Sequence, residues 1–115
     1  MTQEDKELLF KDLCARLPYE VKLQFSYVIT SPAILKGIDK DFIECDIVVC
    51  ELEDIKPYLF PLSSMTEEQE YQYREVIASS LNHYEVYDWL NRNHFDYRGL
   101  IEKGLAIDAT NLNIY

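Results

Sequence analysis

The stretch VKLQFSY, residues 21–27, decides the fold because apolar and polar side chains alternate along it. The apolar members are Val21, Leu23, Phe25 and Tyr27. A period of two is typical of a strand with one buried face. The stretch follows a helical pattern and precedes further strand patterns, so the sequence predicts an α+β fold.

A helix is predicted before this strand. Thr2 has the character of an N-cap, with Asp5 at the N3 position, where a carboxylate favours the positive end of the helix. The helix should run to about Arg16, and Pro18 prevents its continuation. Apolar side chains recur at three- or four-residue spacing on its inner face: Leu9, Leu13 and Leu17.

A small antiparallel sheet is predicted after residue 32. Strands from Ala33 to Ile38 and from Phe42 to Val49 flank a hairpin turn at residues 39–41. Within the second of these strands, alternation predicts that Ile43, Cys45, Ile47 and Val49 share a face. Glu51 to Ile55 is a candidate fourth strand. We therefore expect three or four strands, in a meander able to curl into a small barrel.

Pro57 and Pro61, in the segment KPYLFPL, are expected to prevent regular ladder pairing and to form an extended crossing segment after the sheet. A capping box at Thr66 and Gln69 then predicts a helix to about Ser80. The core face assigned to this helix consists of Tyr73, Ile77 and Leu81.

A further helix is predicted from Asn82, with Trp89 and Leu90 turned inward and Asn93 as a left-handed stop. Gly99 and Gly104 are expected in turns with positive φ, and Leu105 with Ile107 in a short final strand. We therefore expect residues 1–115 to form a single α+β domain: an N-terminal helix, the small sheet, two C-terminal helices and the final strand.

Composition limits the function classes. The 115 residues are 48% hydrophobic and carry a net charge of −10, which disfavours direct binding to nucleic acid or to anionic membranes. The N-terminus lacks the basic and apolar parts of a secretory signal, and no apolar run is long enough to span a bilayer, so a cytoplasmic location is expected. The three cysteines, Cys14, Cys45 and Cys50, lie among apolar neighbours and are expected to be buried, reduced thiols.

The segment HFDYRGLIEKGLAID, residues 94–108, holds the residues closest to a catalytic set. His94, Asp96 and Arg98 are weak candidates for a general base, its orienting acid and an oxyanion clamp. Adjacent side chains seldom converge, so the simpler interpretation is a turn in which Arg98 pairs with Asp96 or Asp88. A small enzyme centred on His94 and Asp96 stays an alternative function.

Two other patterns are weaker. Gly99 and Gly104 have the spacing of a phosphate loop, but Leu105 and Ala106 follow where lysine and serine or threonine are needed. Cys45 and Cys50 with His83 and His94 form a poor zinc pattern, since residues five positions apart on a strand face opposite sides. We expect no metal and no cofactor.

Acidic residues between 39 and 54 form the one charge-biased region. They are Asp39, Asp41, Glu44, Asp46, Glu51, Glu53 and Asp54. Their simplest interpretation is a solvated sheet face with its loops. The functional alternatives are a surface that binds a basic protein partner, or a nucleic-acid mimic that inhibits a DNA-binding host protein. Six tyrosines exceed what the core requires, and, where exposed, they suit an interface and leave self-association open: Tyr58, Tyr71, Tyr73, Tyr84, Tyr87 and Tyr97.

Three blocks carry a family resemblance: KDLCARLPYEVK (11–22), IKPYLFPLSSMTEEQ (55–69) and WLNRNHFDYRGLIEKGLAID (89–108). The chain resembles a family of short uncharacterised proteins from gut Bacteroides-type bacteria, their prophages and phages. The resemblance implies no particular activity and transfers no catalytic or binding residue. It favours a non-enzymatic accessory protein of a mobile element, acting by binding a protein.

Overall fold

The computed structural model describes residues 1–25, 32–40 and 42–115, and the described part is an α+β structure of three α-helices and a seven-stranded sheet that does not close. The helices are α1 (Gln3–Arg16), α2 (Glu67–Ser79) and α3 (His83–Arg92). The strands are β1 (Lys22–Phe25), β2 (Ala33–Ile38), β3 (Ile43–Cys45), β4 (Val49–Cys50), β5 (Ile55–Pro61), β6 (Phe95–Asp96) and β7 (Ile107–Asp108). Short 3-10 turns occupy Leu17–Tyr19, Leu52–Asp54 and Leu62–Ser64.

The sheet is larger than the expected three or four strands. Its order is β4-β3-β2-β1-β5-β6, with β7 also paired to β5. The pairs from β4 through β1 to β5 are antiparallel, whereas β6 and β7 both run parallel to β5. The C-terminal segment thus joins the sheet as two short parallel strands, where the sequence predicted one.

The prediction that Pro57 and Pro61 end the sheet is wrong, because both prolines lie in β5. Pro57 pairs with Leu23 of β1, and Pro61 pairs with Asp96 of β6. A proline removes one backbone donor from a ladder. Burial of neighbouring side chains opposes that loss: Leu59 is fully buried, and Ile55 is 1% exposed.

The predicted strand from Phe42 to Val49 is instead a hairpin. A bend at Asp46 and Ile47 separates β3 from β4, and the Cys45 N–H donates to the Val48 carbonyl across the reversal. Asp46 stabilises the bend by accepting a hydrogen bond from the Ile34 N–H at 3.0 Å. Glu51 to Ile55 does not form the fourth strand, since Leu52–Asp54 is a 3-10 turn and β5 begins at Ile55.

The predicted helix starts are confirmed. The Thr2 side chain accepts from the Asp5 N–H, Thr66 and Gln69 form both bonds of a capping box, and Asn82 accepts from the Tyr84 N–H. Leu9 and Leu13 of α1 pack with Val21 and Leu23 in the main core.

The core face predicted for α2 is confirmed at Tyr73 and wrong at Ile77 and Leu81, and the helix lies further outside the core than expected. Tyr73 and Val76 pack at the edge of a smaller cluster around Trp89, Leu90 and Phe95. Ile77 is 50% exposed and Leu81 is 96% exposed. The strong cap and acidic first turn stabilise this helix locally, so it forms without a deeply buried face.

Candidate functional site

The three residues suggested as a catalytic set do not converge. Asp96 is buried, and its carboxylate accepts hydrogen bonds from the backbone N–H groups of Leu100 and Ile101, both at 3.0 Å. These bonds hold the turn that contains Gly99, whose φ is +78°. The positive φ of Gly99, and that of Gly104 at +74°, confirm the prediction for the glycines.

Arg98 pairs with neither Asp96 nor Asp88, which corrects the predicted turn. Its Nη1 donates to Oδ1 of Asp12 at 2.8 Å, while the Nε of Arg16 donates to Oδ2 of the same carboxylate at 2.8 Å. Asp12 and Arg16 are fully buried. The guanidinium of Arg98 therefore pairs with a carboxylate on α1 that lies 86 positions away in the sequence. A pair so far apart cannot be predicted from residue spacing.

His94 has a structural role in the backbone directly after α3. Its φ is +63°, so His94 and not Asn93, whose φ is −97°, takes the left-handed position after the helix. Its carbonyl accepts from the Phe60 N–H at 2.8 Å, which links α3 to β5. Burial, with the charges of Arg16 and Lys22, lowers the pKa of His94 to about 4. A neutral imidazole results at pH 7, and its buried Nδ1 has no partner among the described residues.

The acidic residues predicted to bind a partner differ in their structural roles. Asp46 caps the hairpin bend, Glu51 and Asp54 form the capping box of the 3-10 turn, and Glu53 pairs with Lys6 at 2.6 Å. Asp41 lies outside the described residues. Asp39 and Glu44 are exposed. Most of the carboxylates thus have structural partners, and the regular array that a nucleic-acid mimic requires is not favoured by these contacts.

Exposed apolar side chains lie beside these acids. We define the hairpin surface by its apolar residues Phe42, Ile47, Val48 and Val49 and its acids Glu44, Asp46 and Glu51. The exposed fractions of the apolar residues are 56%, 65%, 39% and 59%. Glu44 and Val49 are direct cross-strand partners on the face opposite the buried Ile43, Cys45 and Cys50.

The hairpin surface also borders the open end of the sheet. β4 is the terminal strand, and among the described ranges no strand pairs with its outer edge. Ile47 and Val49 were predicted to share a face with Ile43 and Cys45, but the chain reverses at Asp46 and Ile47, and both Ile47 and Val49 are exposed. The available signal was Asp46, because aspartate favours a turn and is disfavoured inside a strand.

The cysteines correct two expectations. Cys14 is exposed, whereas Cys45 and Cys50 are buried as predicted. Cys45 and Cys50 do not face opposite sides, because the chain reverses between them and their thiols share a hydrogen bond. Burial raises the pKa of Cys45 to about 12. In the described part of the chain, no three His, Cys, Asp or Glu residues are grouped so as to hold a metal ion.

None of the helices in the described ranges has both the length and the apolar character needed to cross a membrane. Comparisons of the chain with protein-family models, with curated proteins and with solved structures found no match.

Proposed function

We propose that the protein is a non-enzymatic interaction protein that binds a partner protein through the hairpin surface. The observation that supports this most is the exposure of Ile47 and Val49 at 65% and 59% on the terminal hairpin of an open sheet. Folded domains pair or charge such edges, because exposed apolar edges associate with other chains. An apolar centre with a polar rim is also the common anatomy of a protein interface.

The occupant that fits this surface is a partner with a basic rim around an apolar contact. Glu44 is the direct cross-strand neighbour of Val49, and Glu51 follows Cys50 at the end of β4. The chain as a whole carries a charge of −10, which would steer a basic partner and repel a second copy. β4 has only two residues, so side-chain contacts rather than a long backbone ladder would supply most of the affinity.

The resemblance to proteins of Bacteroides-type bacteria and their phages supports a place for this interaction in a mobile element, as a cytoplasmic accessory protein with a host or phage protein as partner. The nucleic-acid mimic stays a prediction, with four of its acids engaged in structural hydrogen bonds or an ion pair. The small enzyme stays a prediction as well, although Asp96 and Arg98 each have a structural partner.

Site-specific crosslinking identifies and tests the partner. A photoreactive phenylalanine derivative at position 49 should capture a protein that the same derivative at position 81 does not, since Leu81 is exposed but lies between α2 and α3, outside the hairpin surface. The captured protein is then purified and titrated against the wild type, Val49→Lys and the control Leu81→Lys. We expect Val49→Lys to weaken binding roughly tenfold or more, about 1.4 kcal/mol, and added salt to weaken it further.

Equal binding by Val49→Lys and the wild type would remove the hairpin surface as the site. Sedimentation equilibrium provides the second readout. Self-association abolished by Val49→Lys would show a second copy on this surface and contradict the proposed basic partner.

A further inference from the structure

A concave surface that shares no residue with the hairpin surface lies beside α1 and α3. It is a cleft of about 710 Å³ lined by α1, the 3-10 turn at Leu17–Tyr19, α3 and the residues after β6. Its volume falls within the range of roughly 300–1,000 Å³ that is usual for small-molecule sites. Four of its lining residues are tyrosines: Tyr19, Tyr84, Tyr87 and Tyr97.

Arg98 is the oriented cation of this cleft. Its Nη1 is fixed by the bond to Asp12, and its guanidinium carbon lies 4.7 Å from the centre of the Tyr97 ring. The side chain is 16% exposed. Among the described residues its hydrogen-bond acceptor is Asp12, and Arg98 lines the cleft, so we assign its remaining N–H donors to a ligand there. Such a planar, pre-oriented fork matches a carboxylate.

The charges around Arg98 favour an anion despite the acidity of the whole chain. Lys11 and Arg98 line the cleft, and the acid there, Asp88, accepts a hydrogen bond from Tyr19 and pairs with Arg92 at 3.7 Å. Behind the wall, the negative charge of Asp12 is shared between Arg98 and Arg16. Two arginines around one carboxylate leave an excess positive charge at the cleft wall.

Aromatic side chains provide the flat part of the site. The rings of Tyr87 and Tyr97 are 5.1 Å apart and inclined by 37°, and the Tyr97 hydroxyl is held by Asn91 at 2.8 Å. Tyr84 and Tyr87 are 81% and 49% exposed, so they form an open wall on which another ring can pack.

We propose that this cleft binds a small organic anion in which an aromatic ring carries a carboxylate, with the carboxylate on Arg98 and the ring against the tyrosines. This inference is independent of the hairpin surface. The site recognises and holds its ligand, and no chemical step is attached to it.

The test compares an acid with its neutral amide. Phenylacetate and phenylacetamide are titrated into the wild-type protein by calorimetry and by NMR, with inorganic phosphate as a third probe for an oxyanion without a ring. We expect phenylacetate to bind at least tenfold more tightly than either of the others. Cys14 lines the cleft and is exposed, so phenylacetate should also slow its alkylation by N-ethylmaleimide.

Variants assign the interaction to Arg98. Arg98→Gln should reduce phenylacetate affinity at least tenfold, because a charge-assisted bond is lost. Arg98→Lys keeps the charge beside Asp12, so its affinity for phenylacetate should lie between those of the wild type and Arg98→Gln. Arg74→Gln is the matched control, since it removes the same charge from the 75% exposed side chain of an arginine on α2.

Equal affinity for acid and amide in the wild type would overturn the proposal without any variant. So would an Arg98→Gln protein that unfolds like the wild type yet binds phenylacetate equally well, or the absence of binding at millimolar concentrations. Phosphate binding as tight as that of phenylacetate would show that the ring contributes nothing and would also contradict the assigned ligand class.

Discussion

The imidazole of His94 stacks on the ring of Tyr115, with ring centroids 3.8 Å apart and planes inclined by 13°. Tyr115 also contacts Phe60 and lies within 5.5 Å of the Lys22 ammonium. His94, which was a candidate general base in the sequence, therefore packs within a group of aromatic side chains. Its position explains why His94 is held neutral between Tyr115 and the positive charges of Arg16 and Lys22.

The free energy of unfolding should therefore decrease as the pH is lowered through a range that is set by the pKa of His94. Its pKa is about 4 in the folded protein and close to its ordinary value of about 6.5 in the unfolded chain. Between these values the unfolded chain binds more protons, so His94 contributes fully above pH 6.5 and loses its contribution as the pH falls towards 4. His94→Asn keeps a side chain that tolerates the left-handed backbone.

Urea unfolding of wild type and His94→Asn between pH 4 and pH 7.5 measures this contribution. The difference in unfolding free energy between the two proteins should change with pH inside that window and be constant above it. A difference that is constant throughout would contradict a neutral, buried His94.

Tyr115→Phe isolates the hydroxyl of Tyr115 from its ring. The hydroxyl accepts from the Lys22 N–H and donates to the Tyr58 carbonyl, both at 2.8 Å, so it bridges β1 and β5 beside their ladder. We expect a loss of about 1 kcal/mol in unfolding free energy and faster amide exchange at Lys22. Unchanged exchange at that amide would show that the bridge does not form in solution.

Asp12→Ala should be among the most damaging single changes. It leaves Arg16, which is fully buried, without its carboxylate partner, and such a loss typically costs about 3–5 kcal/mol. The matched control is Glu70→Ala, which breaks an exposed pair with Arg74 on α2 and should cost less than about 1 kcal/mol. Similar melting temperatures for the two variants would contradict the buried network.

The three thiols should react in two groups. Cys14 is exposed and should be alkylated in the native protein, whereas Cys45 and Cys50 are buried, and burial raises the pKa of Cys45 to about 12. Native mass spectrometry after maleimide treatment should show one adduct, and three after unfolding in urea. Native modification of Cys45 would indicate that the β3–β4 hairpin opens readily.

Local chemistry made much of the fold predictable. Thr2, Thr66 and Asn82 cap their helices with atoms two or three residues away, and the α+β class followed from the change of period at Val21. Each of these features depends only on residues within one short stretch of the chain, so the sequence is enough to predict it. Gly99 and Gly104 belong to the same class, because a positive φ is a local property.

The predictions that were wrong concern features that depend on contacts between distant parts of the chain. β5 keeps Pro57 because its neighbours are buried between strands from both ends of the sequence. The reversal at Asp46 depends on a hydrogen bond from Ile34 in β2, and the partner of Arg98 lies in α1. The hairpin surface and the cleft both depend on these long-range contacts, so local sequence patterns could not predict which side chains meet there.

The parallel pairing of β5 with β6 and β7 has a consequence for how the chain acquires its structure. Nearly fifty residues, which include α2, α3 and β6, separate Tyr58 and Leu59 from their partners Ile107 and Asp108. Closing so long a loop is entropically unfavourable and slows folding. Until the segments that form β6 and β7 dock, the edge of β5 opposite β1 is unpaired, so we expect the incompletely folded chain to aggregate more readily than the native protein.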